Sequence, residues 1–147
     1  MPKVILYMFD EKNTLYILTI LEAIEKIFIY SSEFTDEEDF YLANKQLYFN
    51  ASVNLLIAIG EENKKIDNEL KTSDEINWKN ISAMRDKISH NYRGIDESMV
   101  WEIIKNYLPT LKKLLIEMLP KVKNSREYIH EALQTSFYED LYYLKQK

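Results

Sequence analysis

From Arg85 to Tyr92 the chain reads Arg-Asp-Lys-Ile-Ser-His-Asn-Tyr, which sets an arginine, a histidine and a tyrosine at the spacing R-x4-H-x-Y. His90 is one of only two histidines, and imidazole is the side chain whose ordinary pKa allows proton transfer near neutral pH. Arg85 carries a planar fork of donors suited to a phosphate, and Tyr92 a hydroxyl that can be modified. Such a set suits phosphodiester chemistry without a metal. An RNA 2′-hydroxyl would attack its neighbouring phosphate, with His90 accepting that proton or donating one to the leaving oxygen. Arg85 would offset charge in the transition state. Positioned acid–base help of this kind is typically worth about 10²–10⁴-fold. Asp86, four residues before His90, either orients the imidazole or is a surface carboxylate. The plainer alternative is a buried polar cluster at a helix end, which the spacing alone does not exclude.

The element that must carry this motif reads as a helix from about Trp78 to Tyr92, with Ile81, Met84 and Ile88 as its core face and Gly94 as its C-terminal cap. On an ideal helix Arg85, Ser89 and Tyr92 share one face, and Asp86 and His90 share a neighbouring stripe. Arg85 and His90, five apart, diverge by about 140°. Either the helix deforms near His90 or two copies meet across a two-fold axis. A homodimer with a shared cleft is the simpler answer, because two-fold dimers are the commonest oligomers.

The other elements read as helices too. Residues 10–31 carry the stripe Ile17, Leu21, Ile24 and Phe28. A second helix begins near Asp36 or Asp39, either of which can cap it. It runs through Phe40, Ala43, Leu47, Ala51 and Leu55 to about Gly60, where the glycine marks a weak point or a close helix contact. Residues 62–71 continue it or form a separate piece, and 72–75 connect. Asp96 caps a long helix with Val100, Ile103, Ile104, Tyr107, Leu111, Leu114, Leu115 and Met118 inward; Pro109 kinks or interrupts it and Pro120 ends it. A last segment, about 125–145, repeats Ile129, Leu133, Phe137, Leu141 and Leu144, with Asn124 and Glu127 as a capping-box variant. No strand-like alternation is present. The expected fold is all-α: four main helices plus a C-terminal one, in a single domain over 1–147 with an apolar N-terminal arm at 1–10 and a helical extension at 121–147.

Composition narrows the chemistry. The 147 residues are 46% hydrophobic, enough for one core, and two glycines and three prolines are too few for an all-β fold. There are no cysteines, which excludes a disulfide framework and a thiolate nucleophile. His130 has no ligand spacing to His90 and reads as solvated, so no metal site is expected. Neither a phosphate-binding glycine loop nor a dinucleotide fingerprint is present. The apolar start, Met1 to Phe9, is too short to span a membrane and lacks a cleavage site; a cytoplasmic protein is expected. The net charge of −5 argues against non-specific nucleic-acid binding, yet Lys79, Arg85, Lys87 and Arg93 form a locally basic stretch against one acid, Asp86. Lys79, Lys87 and Arg93 are the expected RNA contacts.

The ordered set Ile59-Gly60-Glu61-Glu62, Ile76-Asn77-Trp78, Arg85 to Tyr92, Ile95-Asp96 and Val100-Trp101 resembles the HepT family of prokaryotic HEPN-domain toxins, over roughly residues 12–119. The resemblance implies an all-α HEPN homodimer whose motif helices line a cleft, and a metal-independent ribonuclease with Arg85 and His90 catalytic. It also implies a partner, a minimal nucleotidyltransferase antitoxin that uses magnesium and ATP to attach AMP to the motif tyrosine, here Tyr92. No cofactor is then expected on this chain. The substrate would be RNA, with tRNA a family-level expectation. AMP on Tyr92 would bring a phosphodiester charge beside Arg85 and block the site. A different class of reading is a non-catalytic HEPN module that binds the nucleotidyltransferase, and the plainest is a helical dimer with an incidental motif.

Overall fold

A computed structural model describes residues 9–89 and 94–146, without the side chain of Gln146. Met1 to Met8, His90 to Arg93 and Lys147 lie outside the described residues, so most of the expected N-terminal arm is not placed.

The all-α expectation holds. Among the described residues the only β pairing is two isolated bridges, Phe9 with Val122 and Ser89 with Ile95. Helix α1, Lys12–Ser31, opens with the Asp10 carboxylate accepting from the Lys12 amide at 2.8 Å. It is the central helix: Ile17, Ile20, Leu21, Ile24 and Ile27 are all fully buried, and Phe28 is partly so.

Helix α2, Glu37–Asn63, is capped by Asp36, whose carboxylate accepts from the Asp39 amide at 3.1 Å. It is not one regular helix. Ala43 is extended, and Asn44, Lys45 and Gln46 are left-handed, with φ of 49°, 56° and 69°. This corrects the expected stripe. Crossing a left-handed turn resets the helical phase, so beyond it Phe49, Val53, Leu56 and Ile59 face inward while Leu47 is 59% exposed. Phe40 anchors the N-terminal part with ring contacts to Phe34, Phe49 and Trp101 at 5.5–6.2 Å between centroids.

After a 3-10 turn at Asn68–Leu70, the expected motif helix is two short ones, α3 (Trp78–Ser82) and α4 (Met84–Ile88). The expected long fourth helix is also divided. Helix α5, Glu97–Glu102, is capped by the Asp96 carboxylate, which accepts from the Met99 amide at 3.0 Å. A π-helical turn, Ile103–Tyr107, leads into α6, Leu108–Met118. Pro109 sits in the first turn of α6, where its missing N–H costs nothing. The preceding turn closes with the Leu108 N–H donating to the Ile103 carbonyl, five residues back. Tyr107, expected inward, is 41% exposed because that wider turn rotates it out.

The C-terminal segment departs further. Helix α7 spans only Ser125–Ala132, and Ser136–Gln146 is 3-10 helix. Asn124 is left-handed and makes no side-chain cap bond, which overturns the capping-box reading. The tighter 3-10 winding seats Leu141 and Leu144 in the core but leaves Phe137 54% exposed. Among the described residues, seven helices and the 3-10 tail draw on one hydrophobic core. Among the described residues no helix is long and apolar enough to cross a membrane.

Candidate functional site

The segment before the motif is fixed by polar contacts at the end of α2. Asn77 caps α3 by accepting from the Asn80 amide at 3.1 Å. The Asn63 amide nitrogen donates to the Trp78 carbonyl at 3.2 Å and to Ser82 Oγ at 2.9 Å. The Trp78 ring nitrogen donates to the Ser73 carbonyl at 2.9 Å. Gly60 explains how closely α3 and α4 approach α2: a Cβ there would lie 2.8 Å from the Ile81 carbonyl oxygen and 2.9 Å from Met84 Cβ. Of the two sequence readings of Gly60, the close helix contact is the one observed.

Ile81, Met84 and Ile88 are buried, as their spacing predicts, so Arg85, Asp86 and Lys87 are turned to solvent. Ala83, at φ −95° and ψ 30°, breaks the helix just before Arg85. A second departure matters more. The helix ends at Ile88, and Ser89 is extended, at φ −81° and ψ 145°. Ser89 pairs with Ile95, and the Asp96 N–H donates to the Ile88 carbonyl at 2.7 Å. Gly94, with φ +107°, lies in the returning chain and is not the cap of that helix.

The ideal-helix geometry therefore stops at Ile88, two residues before His90. Ser89 does not share a helical face with Arg85, and the 140° divergence of Arg85 and His90 loses its premise. Of the two solutions, helix deformation or two copies, deformation is present within a single chain. His90, Tyr92 and Arg93 lie outside the described residues. The base of the segment that carries them is fixed at both ends, by Ser89 and by Ile95.

The remaining expected contacts are split. Lys79 and Asp86 line one open trough, together with Lys64 and Lys71, which sequence reasoning did not select. Lys87 lines a separate, mainly apolar cavity with Ile76 and Tyr107. Lys64 and Lys71 gave no signal in the sequence because each stands near acids, Glu61, Glu62, Asp67 and Glu69, that cancel it on average. Among the described residues Arg85, Lys79 and Lys87 make no ion pair; the five that occur involve other cations.

Residues 20–118, two thirds of the chain, match the family described as "Ribonuclease HepT-like". The chain belongs to the HepT-like family. The matched region runs from within α1 to the end of α6 and contains the whole R-x4-H-x-Y motif; α7 and the 3-10 tail lie beyond it. The chain is 42% identical over 101 residues to "Probable ribonuclease HepT" of Thermococcus cleftensis, covering 66% of this chain and 86% of that protein. It is 33% identical over 119 residues to a Methanocaldococcus jannaschii protein provisionally named an RNase, covering 80% and 94%. A second such protein of the same organism is 34% identical over 105 residues, covering 71% and 86%. No solved structure matches this HepT-like chain.

Proposed function

We propose that this HepT-like protein is a metal-independent endoribonuclease and the toxin of a two-component pair, with Arg85 and His90 as its catalytic residues. The observation that carries the reading is the complete R-x4-H-x-Y motif inside the family match, with Arg85 solvent-exposed on a helix whose opposite face is locked into the core. His90 takes the proton of an RNA 2′-hydroxyl as that oxygen attacks phosphorus. The bond from phosphorus to the 5′-oxygen breaks, leaving a 2′,3′-cyclic phosphate, and water or an imidazolium protonates the leaving oxygen. Arg85 offsets the charge gathered on the phosphoryl oxygens. Asp86, exposed and one residue further along α4, is retained as a candidate for orienting the imidazole.

The reading extends to a homodimer and to silencing by a nucleotidyltransferase. That partner supplies ATP and magnesium and transfers AMP to the Tyr92 hydroxyl, releasing pyrophosphate. The adduct places a phosphodiester where substrate phosphate must bind. Expression of the chain alone is expected to arrest growth. Co-expression with a cognate nucleotidyltransferase should restore growth and add AMP mass to the Tyr92 peptide. Growth arrest that persists in both His90→Ala and Arg85→Ala, with the proteins folded, would contradict the reading. Partner binding with neither arrest nor cleavage would favour a non-catalytic module.

A further inference from the structure

The open trough beside the motif, about 480 Å³, brings together residues far apart in sequence. Lys64 comes from the end of α2, Asn68 and Lys71 from the turn after it, Trp78 and Lys79 from α3, and Asp86 from α4. Three lysines and one carboxylate line the trough; Lys64 is paired with Glu61 at 3.0 Å, while Lys71 and Lys79 make no ion pair among the described residues.

Lys71 is the informative member. Its ammonium donates to the Asn63 carbonyl at 2.7 Å and is partly buried. Burial lowers its pKa from the ordinary lysine value, and Asp67 only partly offsets this. Among the described residues no carboxylate lies within ion-pair distance of it. A partly desolvated cation without a counter-ion gains from an anion brought to it. Behind the lysine, Asn63 is fully buried, and its side-chain oxygen has no hydrogen-bond partner. Asn63 thus ties Lys71, Trp78 and Ser82 together from behind the trough. Trp78 is held by its bond to the Ser73 carbonyl and adds an aromatic surface beside the lysines. Cations that follow a backbone next to an aromatic ring on which a base can stack are the two components of single-strand binding sites.

We infer that this trough is a subsite for single-stranded RNA flanking the scissile phosphate, with Lys64, Lys71 and Lys79 on backbone phosphates and Trp78 under a base. The inference rests on the ribonuclease reading and adds Lys64, Lys71 and Trp78 to the substrate contacts. Asp86 lines the trough and directly follows Arg85 in α4, so the trough adjoins the helix that carries the motif arginine. The Asp86 carboxylate disfavours a phosphate directly above it, so the phosphates are expected beside the lysines.

The test separates binding from cleavage. In the His90→Ala background, a fluorescein-labelled single-stranded RNA of about a dozen nucleotides is titrated in EDTA and followed by anisotropy. Replacing Lys64, Lys71 and Lys79 together by Gln should weaken binding at least tenfold and lower the salt slope by about 0.7 for each lysine removed. Trp78→Phe should weaken binding several-fold while leaving the salt slope unchanged. The same lysine replacement at Lys121 and Lys123, which flank Phe9, should change binding little beyond the loss of net charge. If Lys71→Gln unfolds the chain, Lys64→Gln with Lys79→Gln, both at exposed positions, carries the test with about two thirds of the slope change. Unchanged affinity and slope in the folded variants, or no RNA binding in the His90→Ala background, would overturn the subsite. If the unmodified protein cleaves RNA while the lysine variants bind normally, the subsite falls and the ribonuclease reading stands. If it binds through these lysines but never cleaves, the reverse holds.

Discussion

Arg85 is exposed, yet its neighbours Met84 and Ile88 are 1% and 0% exposed. The backbone is thus held by the core while the guanidinium stays free to meet a ligand. Removing that side chain should cost little stability, within about 0.5 kcal/mol for a surface position. It should cost most of the activity. Arg85→Ala is expected to unfold at the same denaturant concentration as the unmodified protein and to cleave RNA at least 10²-fold more slowly, the scale of a lost charge-stabilising donor. Arg85→Lys should recover only part of that, since an ammonium lacks the planar fork. A parallel loss of stability and activity in Arg85→Ala would instead make Arg85 a structural residue. Arg85 and its exposure were legible from the spacing of Ile81, Met84 and Ile88. Lys64 and Lys71 were not, because nothing local indicates that the end of α2 and the turn after it fold beside α3.

At the scale of elements, three helix starts set by side-chain chemistry were readable. Asp36 and Asp96 act as caps and Pro109 begins a helix, because each effect is local. Two caps failed, Gly94 and Asn124, and the other failures are changes of helical phase. Ser89 turns extended, the left-handed run Asn44–Gln46 rotates the second half of α2, and the C-terminal segment winds as 3-10 helix. Asn44 tolerates the left-handed region, but Lys45 and Gln46 do not favour it, and Ser89 is held extended by pairing with the distant Ile95. Two predictions follow from these elements. Gly60→Ala places a methyl 2.8 Å from the Ile81 carbonyl oxygen. It should destabilise by about 1–3 kcal/mol, the usual penalty of overpacking, and a denaturation midpoint equal to that of the unmodified protein would show that α3 can move aside. Lys45→Gly removes a left-handed non-glycine residue and should stabilise by up to about 1 kcal/mol, because the steric cost of that conformation outweighs the added chain entropy. A fall in the midpoint would contradict the left-handed turn.

For the whole molecule, the segment beyond the family match closes the core. Leu141 and Leu144 are buried, and Tyr143 donates its phenol to Glu25 of α1 at 3.1 Å, where Lys112 of α6 also pairs at 2.7 Å. Leu141→Ala should therefore cost about 2–5 kcal/mol, measured by denaturation, while cleavage by the folded fraction is unchanged; a neutral result would mean that the tail only decorates the bundle. Burial and the Glu25 carboxylate push the Tyr143 phenol well above its ordinary range. Its folded form therefore keeps a proton that the unfolded chain releases near pH 10. By linkage, the stability this tyrosine contributes is full below about pH 10 and is lost as the pH rises beyond it. Comparing Tyr143→Phe with the unmodified protein from pH 9 to 11 should show a shallower alkaline decline in the variant. Equal slopes would place Tyr143 in water.

The central claim is that the R-x4-H-x-Y motif of this HepT-like chain cleaves RNA without a metal. The most direct measurement is incubation of total RNA in EDTA with the purified protein, beside His90→Ala, with intact mass showing Tyr92 to be unmodified. The account predicts cleavage by the unmodified protein, with 2′,3′-cyclic phosphate ends, and none by His90→Ala. Cleavage of equal rate by both, or activity that appears only when a divalent ion is restored, would contradict it.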